Sequence, residues 1–128
     1  MVDIDRFKAI NDRYGHPVGD RVIQRLATVM KGSSRRIDTV ARVGGEEFAL
    51  LLPGTDLVAA VEAGERIRSA VACSELVTDR GERIAYTISV GAARWHTREK
   101  PSQCYNRADR ALYLAKKGGR NRVVSLQA

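Results

Sequence analysis

Aromatic residues are scarce in this chain, 5% of its 128 positions, and they are not interleaved with the basic ones. A stacking platform for single-stranded nucleic acid is therefore poorly supported, and nucleic acid is not an expected partner. Cysteine is sparser still: Cys73 and Cys104 stand far apart and match no metal-ligand spacing. Both are expected as reduced, partly buried thiols, which suits a cytoplasmic protein. No apolar run approaches the roughly 20 residues that a membrane-spanning helix needs. The acidic start Met1-Val2-Asp3-Ile4-Asp5 lacks the basic-then-apolar pattern of a secretion signal. Repeats, low-complexity tracts and linkers are missing too, so one domain over residues 1–128 is expected.

What is present is an ordinary globular composition with a basic balance. Hydrophobic residues make up 44% and charged residues 29%, enough for one core without staples. Lysine and arginine number 22 against 15 acids, a net charge of +7. That excess favours a polyanionic partner: nucleic acid, a lipid surface or a phosphorylated small molecule. Many of these charges would also serve simply as solvated helix faces.

Periodicity divides the chain into short elements. Met1 to Asp5 reads as the end of a buried strand and Phe7 to Tyr14 as a short helix, broken at Gly15-His16-Pro17. Val18 to Ser33 repeats with helical spacing, placing Val22, Ile23, Leu26, Val29 and Met30 on one face. Thr39 to Val43 and Glu47 to Leu52 read as strands of a hairpin. A helix is expected over Asp56 to Val71, with Leu57, Val61, Gly64, Ile67 and Val71 inward. Ile84, Tyr86, Ile88 and Val90 alternate with Ala85, Thr87 and Ser89 as one strand would. Pro101 opens a last helix, burying Tyr105, Ala108, Leu112 and Ala115 and ending at Gly118-Gly119, and Arg122 to Ser125 follows as an edge strand. Hairpins mixed with helices predict an α+β fold, a largely antiparallel sheet with helices on its faces.

Three clusters carry candidate chemistry. In Asp3-Ile4-Asp5-Arg6-Phe7-Lys8, alternation points Asp3 and Asp5 the same way, and carboxylates ending a buried strand are costly unless paired or bound to metal. Hard oxygen ligands suit Mg²⁺, although a strand-end Asp capping the next helix fits about as well. In Gly44-Gly45-Glu46-Glu47-Phe48, two glycines allow a tight turn and close approach of a ligand. Its adjacent acids repel unless a cation sits there, and a plain solvated tip is the competing reading. Lys116-Lys117-Gly118-Gly119-Arg120-Asn121-Arg122 places cations at a helix C-terminus, where the macrodipole alone would favour them. With no P-loop in the chain, these cations become the candidate phosphate clamp.

The chain resembles the GGDEF-domain family of diguanylate cyclases. The likeness runs through Asp-Ile-Asp-Arg-Phe-Lys at 3 to 8, Ile-Asn-Asp-Arg-Tyr-Gly-His at 10 to 16 and Gly19-Asp20. It continues through Arg42-Val43-Gly44-Gly45-Glu46-Glu47-Phe48, Thr87 to Gly91, Ala108 to Lys116 and Gly119-Arg120-Asn121. Glu46 stands where the signature has aspartate, a common active variant. The resemblance implies a nucleotidyl-cyclase, ferredoxin-like arrangement with the signature on a β-hairpin. It implies a cyclase that condenses two GTP into cyclic di-GMP and two pyrophosphates.

Residue by residue, it implies that Asp3, the Ile4 carbonyl, Glu46 and Glu47 hold Mg²⁺ (or Mn²⁺), with Glu47 also a candidate for deprotonating the attacking hydroxyl. Asn11 and Asp20 would read the guanine edge, and an adenine offers Asp20 no matching pair of donors. Lys8, Lys116 and Arg120 would contact phosphate, and Gly44 and Gly45 would let the hairpin lie against the nucleotide. Arg35-Arg36-Ile37-Asp38 matches the family's inhibitory product site, with Arg35 and Asp38 holding a cyclic di-GMP dimer and Arg66 a second contact; a surface ion pair is the plain alternative.

Catalysis would need two domains facing each other as a homodimer. The family's usual upstream helix and Asp-x-Leu-Thr-Gly-Leu-x-Asn-Arg-Arg-like stretch are not in the sequence, so a shortened first strand and a regulatory sensor domain further upstream are expected. Two rival functions stand beside the cyclase: a cyclic di-GMP receptor without catalysis, and a basic nucleic-acid-binding domain that would leave the acidic hairpin unexplained.

Overall fold

A computed structural model describes all residues from Met1 to Ala128. The elements are β1 (Val2–Ile4), α1 (Phe7–Tyr14), α2 (His16–Gly32), β2 (Thr39–Arg42), β3 (Glu47–Leu51), α3 (Leu57–Ala72), β4 (Leu76–Val77), β5 (Arg83–Ile84), β6 (Ile88–Ala93), α4 (Pro101–Lys117) and β7 (Arg122–Leu126). Five strands form one sheet in the order β2-β3-β1-β6-β7, and β4 and β5 form a separate ribbon. The pairings β2–β3, β3–β1 and β1–β6 are antiparallel, whereas β7 runs parallel to β6. The expected mixed, mostly antiparallel sheet flanked by helices is therefore what forms.

Short β1 lies in the middle because all its residues are buried: Val2 and Ile4 face one side, Asp3 the other. On the first side they join Val22, Leu26 and Met30 of α2, Ile67 and Val71 of α3, and Phe48, Ile88 and Val90 of the sheet. Each such side chain contributes about 1.5–3 kcal/mol over leaving it in water. The sides are also marked by glycines. A Cβ on Gly64 of α3 would come 3.2 Å from Val90, and one on Gly91 would come 2.2 Å from the Ala108 carbonyl of α4. Adjacent residues of β6 thus carry α3 and α4 on opposite faces.

Four expectations are corrected. Helix α2 begins at His16, two residues early, because Pro17 sits in the first turn, where its missing N–H costs nothing. The single strand over Ile84 to Val90 is two strands: β5 pairs with β4, and β6 enters the main sheet. The alternating apolar residues Ile84, Tyr86, Ile88 and Val90 are all buried across that break. Tyr105 is 47% exposed, because α4 turns Ala111, Leu112 and Ala115 inward and Tyr105 lies off that stripe. Both cysteines are free thiols, but Cys73 caps α3 in the open rather than lying partly buried.

The approach to α4 is fixed by an ion pair. Arg107 donates to both Glu99 oxygens at 2.7 and 2.9 Å and to the Arg94 carbonyl at 2.5 Å, while the His96 amide donates to Glu99 at 2.9 Å. The guanidinium first, and the amide second, hold the Glu99 carboxyl down at about 2. A depressed carboxyl adds stability that is present above its ordinary range and lost as pH falls toward 2. Glu99→Gln should therefore lower the denaturation midpoint at pH 7, and the gap between the two proteins should have largely closed by pH 2. A gap that persists unchanged at pH 2 would contradict this origin.

Candidate functional site

The candidate site sits where the carboxyl end of β1 meets the β2–β3 hairpin. Asp3 is directly opposite Glu47 in the antiparallel register, so both side chains leave the same face of the sheet. The Ile4 amide donates to the Glu46 carbonyl at 3.2 Å, which ties the signature turn to the strand end. Asp3 is 4% exposed and accepts a 2.7 Å hydrogen bond from the Lys116 ammonium at the end of α4. Its carboxyl is pushed up to about 6: burial raises it most, Lys116 pulls it back, and the Glu46 and Glu47 charges raise it further. Three acids and one ammonium thus share one electrostatic neighbourhood. No three of the chain's acids, histidines or cysteines are gathered closely enough to form a finished metal cage. The donor set nevertheless fits a hard divalent ion, since a buried carboxylate flanked by two more is stabilised by added positive charge.

The hairpin tip is built differently from the expected tight glycine turn. Neither Gly44 nor Gly45 has a left-handed φ. Gly45 supplies space, since a Cβ there would meet nothing within 4 Å, whereas one on Gly44 would pack on the Glu47 side chain at 3.4 Å. The tip's shape is held by Arg42, whose guanidinium donates to the Gly44 and Gly45 carbonyls at 2.8–3.1 Å. Sequence reasoning gave Arg42 no role. Its position just before the glycines was the available signal.

Asn11 of α1 and Asp20 of α2 lie on the two helices that follow β1. Asp20 is exposed, and the Asn11 side-chain oxygen is buried with no hydrogen-bond partner, a group still short of a donor. Gly19 makes that placement possible. A Cβ there would come 1.8 Å from the Asn11 oxygen and 3.2 Å from Phe7, a contact not anticipated from the sequence. Gly19→Ala should displace Asn11 and, if Asn11 reads a guanine edge as the family resemblance implies, weaken guanosine nucleotide binding about tenfold or more, the worth of a lost hydrogen bond plus a strained helix contact. Isothermal titration with GMP would check this, and unchanged affinity would remove Asn11 from guanine reading.

Lys8 is exposed in the first turn of α1. Arg120 is exposed in the α4–β7 turn, with φ 63°, in the left-handed region. Arg35 and Asp38 are brought together, and tightly. Arg35 Nη2 donates to Asp38 at 2.8 Å, to the Pro53 carbonyl at 2.9 Å and to Thr55 Oγ1 at 2.8 Å, and its own backbone amide donates to Asp38 at 2.7 Å. Arg66 is on the exposed face of α3, and no hydrogen bond or ion pair joins it to that pair. No helix is long and apolar enough to cross a membrane.

Comparison with known proteins shows the family and the fold. A family model described as "Diguanylate cyclase, GGDEF domain" matches residues 1–122. Diguanylate cyclase A of Treponema denticola is 45% identical over 125 residues, covering 97% of this chain and 33% of that protein. The GGDEF domain of DgcB from Caulobacter crescentus, solved in complex with c-di-GMP, superposes with a TM-score of 0.93 at 39% identity, over 97% of this chain and 74% of that one. The active GGEEF domain of a diguanylate cyclase from Vibrio cholerae does so with a TM-score of 0.87 at 35% identity, over 97% and 78%. The chain spans about a third of the length of the first curated relatives it matches.

Proposed function

Because the chain belongs to the GGDEF family of diguanylate cyclases, we propose that it condenses two GTP molecules into cyclic di-GMP, releasing two pyrophosphates. The observation that carries this reading is the register of Asp3 against Glu47 beside the Ile4–Glu46 backbone bond, which brings Glu46 and Glu47 within electrostatic reach of Asp3, itself paired with the Lys116 ammonium. Asp3, Glu46, Glu47 and the Ile4 carbonyl would hold Mg²⁺ or Mn²⁺, which when bound neutralises phosphate charge and favours ionisation of the attacking 3′-hydroxyl. Lys8, Lys116 and Arg120 bind the triphosphate. Asn11 and Asp20 orient the guanine, and Gly44 and Gly45, without side chains, let the nucleotide lie on the hairpin. Glu47 stands next to the reacting end, where it accepts a proton or assists the metal.

One domain positions one GTP, so two domains must face each other, and the homodimer contributes chiefly orientation. The GTP pool and the two free thiols both suit a cytoplasmic setting. Arg35 and Asp38 would bind product as a feedback inhibitor, the first by its guanidinium and the second by accepting from guanine. The structural relative solved with c-di-GMP supports that ligand class.

Incubation with GTP and Mg²⁺, followed by separation of nucleotides, should yield cyclic di-GMP, and Glu46→Ala should lose the activity. Normal turnover by Glu46→Ala would refute the mechanism. Product binding without any turnover would instead favour a receptor role for the Arg35–Asp38 side.

A further inference from the structure

Asp5 is the second acid of the opening motif, and the structure gives it different work from Asp3. It is 6% exposed, yet none of the chain's ion pairs includes it. Its carboxylate is satisfied by neutral donors alone. Ser89 Oγ donates at 2.6 Å, Thr87 Oγ1 at 2.7 Å and the backbone amide of Asn121 at 3.0 Å. Buried carboxyl oxygens are costly to leave without hydrogen bonds, and three donors supply them here.

The Asn121 bond reaches into the one part of the chain where two consecutive non-glycine residues take positive φ. Arg120 is at 63° and Asn121 at 46°. Such a conformation is disfavoured for residues that carry a Cβ and persists only where the surroundings impose it. They do so from three sides. Asp5 takes the Asn121 amide, the Ala115 carbonyl takes the Arg120 amide at 3.0 Å, and Arg68 of α3 donates to the Asn121 side chain at 2.8 Å. Arg68 is itself fixed by a bidentate pair with Glu65. Asp3 meanwhile grips the same corner through Lys116.

We propose that Asp5 is a positioning residue: it locks the turn at 119–121 into its strained shape and so aims Arg120 at the triphosphate. This rests on reading Lys116 and Arg120 as phosphate contacts. Both oxygens of Asp5 accept from neutral protein donors, which sets it apart from Asp3, whose partner is the Lys116 ammonium.

The test uses Asp5→Ala, Asp5→Asn and Arg120→Ala in the full chain. Binding of 3′-deoxy-GTP with Mg²⁺, which lacks the attacking hydroxyl, is compared with binding of GMP, and amide hydrogen exchange is followed at Asn121. Asp5→Ala should weaken 3′-deoxy-GTP about tenfold, the worth of one charge-assisted contact, and change GMP less than about twofold. It should speed Asn121 exchange at least about tenfold. Asp5→Asn keeps a carbonyl acceptor for that amide while the two hydroxyls rotate to suit, so it should recover most of both losses. Arg120→Ala should weaken 3′-deoxy-GTP to a similar degree without speeding exchange. Equal losses for GMP and the triphosphate in Asp5→Ala, or no loss in either, would overturn the positioning role alone. Unchanged triphosphate affinity in Arg120→Ala would overturn the phosphate reading, and the proposal with it.

Discussion

Asp3→Asn is expected to abolish turnover and yet to raise the thermal stability of the protein at neutral pH. The loss of turnover, on the order of a thousandfold, follows from the proposed function, in which Asp3 supplies a charged oxygen to the metal that accompanies the triphosphate. The gain in stability follows from the raised carboxyl, at about 6 in the fold against 3.8 as its ordinary value. A carboxyl shifted upward prefers the folded state when protonated. That preference is complete below the ordinary value and disappears as pH rises through about 6. At pH 8 the fold therefore carries an ionised Asp3 that burial and the neighbouring acids disfavour. Removing its charge should return about 1–2 kcal/mol once solvent screening at the open side of the site is allowed for. For a domain of this size that is a rise of roughly 3–8 °C in Tm. Lys116 loses its partner, but its ammonium reaches water, with its side chain 35% exposed. Scanning calorimetry of both proteins at pH 8 and pH 4 separates the cases: the gap should be present at pH 8 and closed at pH 4. A lower Tm at pH 8 would show that the Lys116 bond outweighs the burial of charge.

The largest effect on folding is expected from Gly91→Ala. Its Cβ would stand 2.2 Å from the Ala108 carbonyl and from the Leu112 amide, and 2.8 Å from the Leu112 Cα. These are backbone atoms, which cannot rotate away. Nor can α4 lift off cheaply, because Ala111, Leu112 and Ala115 are at most 2% exposed. A loss of about 3–5 kcal/mol is expected, a large share of the 5–15 kcal/mol that holds a typical domain together. Urea titration should show a much lower midpoint or no cooperative transition at all. Gly45→Ala is the matched control. With nothing within 4 Å of its Cβ, it should leave the midpoint unchanged to within about 0.5 kcal/mol, while hindering a nucleotide lying on the hairpin. If Gly91→Ala were as stable as the native chain, α4 would not be seated on β6 in the way described.

Much of this was legible because local signals agreed with the global fold. Phe7 to Tyr14 is a helix at the bounds the sequence suggested, and the two hairpin strands differ by one residue each at their carboxyl ends. Failures came where partners, not periodicity, decided. Ile84 to Val90 keeps its alternation throughout, but hydrogen-bonding neighbours divide it between two sheets. Pro17 reads equally as a break or as a helix start, and the packing of α2 chose the latter. The charged residues that the structure brings together were visible from the motifs: Asp3 with Lys116 and the acids of the hairpin, and, apart from them, Arg35 with Asp38. Residues that act by shape were not. Gly19 and Gly91 matter because another element lies against them, and Asp5 because its donors come from β6, its lead-in and the α4–β7 turn, some 80 to 120 positions later in the chain. No one-dimensional pattern encodes such contacts.

The bond between Lys116 and Asp3 has one further consequence. An ammonium tethered in this way acts as a built-in counter-ion at high effective concentration, so a free cation from solution must compete with it before gaining Asp3. In the proposed function a triphosphate would offer Lys116 a better anion and release the carboxylate in the same exchange. A pocket of that kind would resist stray divalent ions and admit one that arrives with a nucleotide.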